Sequence, residues 1–115
     1  MAITVNSITN PAHASDPYYE AMGHWVFAEF TVVNEASKKL DFNRNYLRLL
    51  ADDGTEVSQN LGFVHQPVLP QYPTMAPGEE IRGFLVFLVP RNSREKALIY
   101  HPSGIQRFTL AVFPP

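Results

Sequence analysis

The sequence predicts an all-β protein folded as an antiparallel β-sandwich of about seven strands. Three observations carry this. Apolar residues recur with period two along nearly the whole chain, the spacing of half-buried strands. Turn residues interrupt that pattern at short intervals, above all Asp52-Asp53-Gly54 and Pro77-Gly78. No segment holds a helical period; the most helix-like stretch is a single turn at 93–96.

Taken in order, Ile3, Val5 and Ile8 predict a first strand over 2–9, and a loop with Pro11 and Pro17 follows. "HWVFAEFTVVNE" at 24–35 is rich in β-branched and aromatic residues, which suit a pleated, half-buried surface, and makes the longest strand. Residues 46–51 and 56–59 flank Asp-Asp-Gly-Thr, a hairpin signal because glycine accepts the positive φ of a tight turn. The segment 60–77 carries prolines at 67, 70, 73 and 77 and reads as a rigid, extended crossing, or as a ligand for an aromatic-lined groove. "IRGFLVFLVP" makes the next strand, "RNSREKA" a polar connection, and "LIYH" and "IQRFTLAVF" the last two strands.

At 115 residues the chain is sized for one domain, taken as 1–115, with 45% apolar and 12% aromatic residues to fill one core. Net charge is about −2 and the nine basic residues are scattered, so nucleic acid is not an expected partner. The absence of cysteine removes disulfides, thiolate metal sites and a lipid-bearing cysteine from this chain. No apolar run is long enough for a transmembrane helix, and the first residues read as a strand.

Alternation assigns the faces of the two longest strands, expected to lie side by side. Val26, Ala28, Phe30 and Val32 point inward with Ile81, Leu85, Phe87 and Val89. The outer face then collects Trp25, Phe27, Phe84, Val86 and Leu88, with Arg82 and Glu29 setting register at its edge. Contiguous apolar patches of this size are seldom left bare. Two covers fit: a second copy of the chain or another protein, or the proline-rich segment 64–75 with neighbouring Phe63, carrying Val64, Val68, Leu69 and Tyr72.

Four histidines, His13, His24, His65 and His101, are the metal donors besides carboxylates, and His13, Asp16 and His24 form the trio the first loop can bring together. Ordinary hydrogen-bonded histidines are the reading adopted, with a metal-binding domain built on His13, His24 and nearby acids as the alternative. Asp52, Asp53 and Glu56 cluster at the hairpin tip, where turn chemistry accounts for them better than a calcium loop. Six serines show no nucleophile elbow, the glycines make no phosphate loop, and Glu79-Glu80 sit at a strand start. No catalytic residue and no cofactor is therefore assigned. Tyr18-Tyr19 and Tyr72 could offer a shallow aromatic surface.

"FAEFTVVNEASKKLDF", "LRLLADDGTEV", "MAPGEEIRGFLVFLVP" and "ALIYHP", in that order, resemble the bacterial immunoglobulin-like domains of unknown function found in lipoproteins and secreted antigens, a superfamily with an immunoprotective extracellular antigen-like fold. The shared pattern is a long strand ending in Asn, a hairpin at Asp-Gly, then Pro-Gly-Glu, a Gly, an apolar strand with Phe and a closing Pro. The resemblance spans about 3–113, with the recognisable motifs in 27–100. It implies an immunoglobulin-like sandwich and a non-catalytic, secreted or membrane-tethered interaction module, possessing a protein partner or forming a homodimer, with the signal segment absent from this chain.

Overall fold

The computed structural model describes residues 1–10, 21–60 and 65–114. Among these, nine strands follow in chain order: β1 (Ala2–Thr9), β2 (Gly23–Val33), β3 (Leu40–Asp41), β4 (Leu47–Ala51), β5 (Glu56–Val57), β6 (Thr74–Met75), β7 (Glu80–Pro90), β8 (Glu95–Tyr100) and β9 (Phe108–Val112). A 3-10 turn at Arg44–Tyr46 leads into β4, started by the Asn43 side chain, which accepts the Asn45 N–H. The strands form a three-stranded sheet ordered β1-β2-β7 and a four-stranded sheet ordered β5-β4-β8-β9, all antiparallel, with a small β3-β6 ladder between connections. The predicted antiparallel β-sandwich is therefore the observed architecture.

The count is nine strands rather than about seven because β3 and β6 were not expected. Each is two residues long, too short to show a period, and each exists because the other lies opposite it. β8 also begins earlier than its apolar pattern indicates. Glu95 and Lys96 extend it, so 93–96 does not make the single turn open to it, and a register shift between Leu50 and Ala51 absorbs the extra residue.

β2 and β7 pair along their full lengths, from Gly23 opposite Pro90 to Val33 opposite Glu80. Their inward residues are the expected ones. Val26, Ala28, Phe30 and Val32 from β2 meet Leu85, Phe87 and Val89 from β7, and all pack against Leu47, Leu49 and Leu98 of the other sheet. Phe42, Leu69 and Met75 enter the same core from connecting segments. A second, small cluster of Leu50, Ala97 and Ile99 lies on the opposite face of the four-stranded sheet.

The turns obey local chemistry. Gly54 and Gly78 have φ of 91° and 78°, the conformation that the Asp-Gly and Pro-Gly signals call for. At the β4-β5 turn the Asp53 carboxylate accepts the Thr55 N–H at 2.9 Å, which pulls its pKa down against a smaller opposing effect of burial.

From residue 65 on, the proline-rich segment runs along the free side of β7. The Leu69 N–H donates to the Phe84 carbonyl at 3.1 Å and the Phe84 N–H to the Pro67 carbonyl at 2.8 Å, a short parallel bridge. Further on, Arg44 donates from Nη1 to the Leu69 carbonyl at 2.9 Å and Phe42 from its N–H to the Pro73 carbonyl at 3.0 Å. Having no N–H, the prolines cannot complete a regular strand, so before β6 the segment pairs only at single points.

Candidate functional site

β1 and β9 are the end strands of their sheets, and they border the same side of the sandwich. Each has one paired flank; the other carries no backbone hydrogen bond to a described residue. The gap between them is a seam where the two sheets have separated edges. Ile3, Val5 and Ile8 from β1 and Leu110 and Ala111 from β9 line it, partly buried against the core.

Two clefts adjoin along this seam and share Ile3 and Leu110. One of about 460 Å³ follows β1 from residue 3 to 8, opposite Leu110 and Ala111. The other, of about 410 Å³, is lined by Met1, Ile3, Tyr100, Phe108 and Leu110. Tyr100 anchors that end: it stacks on Phe108 at 6.3 Å and on Phe42 at 6.4 Å and meets the edge of Tyr46. Burial pushes its phenol pKa up. Met1 and Phe108 are 40% and 51% exposed, large apolar side chains on the lips of a groove that has no charged side chain in either lining. Such an arrangement can receive an extended chain, pairing backbone to backbone while alternate side chains enter the gap.

Sequence reasoning missed this site. Alternation in β1 was visible, but the free edges depend on strand order, which alternation does not encode. The available signal was β9, whose Phe108, Leu110 and Val112 alternate with Thr109 and Ala111, so that neither face is charged.

The five residues expected on the outer face of the β2-β7 pair do lie together there. Trp25, Phe27 and Val86 form a cluster against which Phe84 and Leu88 pack. All three cluster residues are buried within the single chain, Trp25 to 2% exposure. His65 supplies part of the cover, its ring 4.9 Å from Phe27 and edge-on to Phe84 at 4.4 Å. The remaining expected cover is arranged differently: Leu69 passes into the main core, Tyr72 is 61% exposed, and Phe63 and Val64 lie outside the described residues. Arg82 and Glu29 do pair at the edge, at 3.0 Å, and this hydrogen bond lowers the Glu29 pKa.

Of the other candidates, His13, Asp16, Tyr18 and Tyr19 lie outside the described residues. His24 pairs through Nε2 with Glu95, whose other oxygen accepts from Asn10 at 3.3 Å, a link between the two sheets. His101 pairs through Nδ1 with Glu56 at 2.8 Å, beside Arg48 at 3.2 Å from the same oxygen. Asp52 accepts the Arg94 N–H at 3.1 Å, so the three hairpin acids turn to three different partners. Among the described residues no three histidine or acidic side chains converge as a metal site would require.

The two histidine-paired carboxylates make a prediction for acid. Burial raises the pKa of both, but hydrogen bonding and charge from the histidines, with Arg48 at Glu56 and Asn10 at Glu95, outweigh it and hold each below its ordinary 4.5. A lowered folded-state pKa contributes stability that is complete above the unfolded value and is lost as pH falls through the folded one. Thermal unfolding followed from neutral pH downward is therefore expected to lose stability below about 4.5, with a shallower fall in a Glu56→Gln, Glu95→Gln variant. Equal slopes would show that neither carboxylate is coupled to folding.

Among the described residues no helix is long and apolar enough to cross a membrane. No curated protein matches the chain. Its fold is similar to the crystal structure of the yjhA protein from Bacillus subtilis, with a TM-score of 0.64 over 96% of this chain and 90% of that one, at 13% identity. That similarity extends to the architecture alone. The family described as Domain of unknown function (DUF4352) matches residues 1–107, and the chain belongs to that family.

Proposed function

We propose that the chain is a non-catalytic, extracytoplasmic interaction module that takes up an extended polypeptide segment along the β1/β9 seam. The observation that carries the reading is the pair of sheet edges, neither hydrogen-bonded on its outer flank to a described residue, beside a groove that mixes apolar residues with Thr4, Asn6 and Ser7 and has no charged side chain. Each backbone hydrogen bond made there is worth about 0.5–1.5 kcal/mol net, and apolar side chains entering the gap add to it. The docking surface is moved from the outer face of the β2-β7 pair to the seam because the outer face is already buried within the chain. The extracytoplasmic setting is supported by the resemblance to immunoglobulin-like domains of lipoproteins and secreted antigens, and fractionation of the producing cells tests it; recovery in the cytoplasm would remove that part of the reading.

The binding test is selection from a displayed library of random peptides on the purified chain, beside a Thr4→Lys, Phe108→Lys variant. These exposed substitutions put a charge on each bank of the seam. Enriched peptides should be uncharged with alternating apolar residues, and the variant should lose them while Trp25 keeps the emission of a buried indole. Failure to enrich such peptides, or retention by the variant, would sink the seam. Light scattering over a concentration range identifies a second copy as the occupant if a dimer forms and the same variant breaks it.

A further inference from the structure

A different cleft, outside the seam, opens where the turn after β4, the start of β8 and the residues following β9 meet. Its volume is about 470 Å³, in the range of small-molecule sites. Val112, Phe113 and Pro114 supply its apolar lining, and Arg94 and Lys96 line it together with Asp52 and Glu95. The backbones of these two residues are pinned. Arg94 exchanges hydrogen bonds with Asp52, its N–H to the carboxylate at 3.1 Å and its carbonyl to the Asp52 N–H at 2.8 Å, and the Lys96 carbonyl accepts the Phe113 N–H at 2.9 Å.

The charged side chains around the cleft are unequal in what they have left to offer. Asp52 gives one oxygen to the Arg94 N–H and keeps its negative charge, and Glu95 is held by His24 and Asn10, so an anionic head fits only on the Arg94 and Lys96 side of the cleft. Arg94 and Lys96 are both exposed, and neither makes an ion pair with a described residue. A guanidinium offers a planar fork of donors that matches a carboxylate or phosphate, and an ammonium adds a second positive point. The apolar lining lies next to them, so the complementary molecule joins an anionic head to an apolar body.

We infer that this cleft binds a small amphiphilic organic anion, its carboxylate or phosphate between Arg94 and Lys96 and its apolar part on Val112, Phe113 and Pro114. A purely ionic ligand would leave that lining wet, and a purely apolar one would leave both cations without the counter-charge that selects it.

The test is titration of the whole chain with octanoate, followed by backbone amide shifts, beside acetate, 1-octanol and octyl phosphate. Octanoate or octyl phosphate should give saturable shifts centred on 94–96 and 112–114, and whichever binds more tightly names the head group. Acetate and 1-octanol should not saturate. An Arg94→Gln, Lys96→Gln variant keeps every backbone hydrogen bond of the site and should weaken binding by about tenfold or more, with a parallel loss in high salt. Equal affinity in the variant, equal binding of 1-octanol, or no saturable shift with either anion would overturn the inference.

Discussion

Replacing Gly83 with valine is expected to destabilise the protein by about 3–5 kcal/mol. Gly83 faces the core between Ile81 and Leu85, where alternation asks for an apolar side chain, and the reason it has none is the crossing segment. A Cβ at this position would run into the Leu69 amide nitrogen and stand 2.6 Å from Leu69 Cα and 2.7 Å from the Val68 carbonyl carbon. All three are backbone atoms, and the segment holding them is tied to Phe84 and Arg44. It cannot yield by rotating a side chain. The substitution therefore breaks the parallel bridge and lifts the Leu69 side chain, fully buried in the wild type, out of the core. Losing one buried leucine alone costs about 2–5 kcal/mol. Denaturant unfolding measures the loss, and Trp25 emission should shift red because His65, just before the bridge, helps cover that face. Gly104→Ala is the control, since a Cβ there meets nothing within 4 Å. A Gly83→Val protein within about 1 kcal/mol of wild type would mean that the segment does not hold this close approach.

The second large effect is expected at Asn34, the one fully buried polar residue among the described core positions. Its side chain donates to the Lys38 carbonyl at 2.9 Å and the Met75 carbonyl at 3.0 Å and accepts the Ala36 N–H at 2.9 Å. Its backbone completes the knot, donating to the Glu79 carbonyl at 3.0 Å and accepting the Gly78 N–H at 2.8 Å. One amide thus joins the end of β2, the loop before β3, and the turn between β6 and β7. Asn34→Ala removes the three side-chain bonds, one of them to the buried Met75 carbonyl, at about 3 kcal/mol in total. Asn34→Asp should cost at least as much at neutral pH, because a carboxylate would face the two carbonyls that now receive N–H donors. Unfolding midpoints of both variants decide the matter; wild-type stability in Asn34→Ala would show that water replaces the amide freely.

Several features were legible because they are local. The inward and outward residues of β2 and β7 follow from the pleat, which forces successive side chains to opposite faces, and the structure keeps that assignment across eleven paired positions. Asp53-Gly54 and Pro77-Gly78 turned the chain where expected because positive φ is cheap only for glycine. Even Asn34 was visible as the end of a long strand, though not its role, since the carbonyl it serves at Met75 is 41 residues away.

What needed the tertiary structure was every fact about which distant segments meet. The hydrogen bonds of His24 with Glu95 and His101 with Glu56 join residues 71 and 45 positions apart. The covering of Phe27 and Phe84 by His65, the two-residue β3-β6 ladder, the cleft beside Arg94 and Lys96, and the edges of β1 and β9 left unpaired among the described residues are of the same kind. The sequence by itself determined the all-β class, the principal strands and the two faces of the longest pair, because period and turn chemistry act between near neighbours. Strand order, and with it which edges stay unpaired and which apolar face is already covered, was decided only in the folded chain, where long-range packing chooses among sheet arrangements that share the same local pattern.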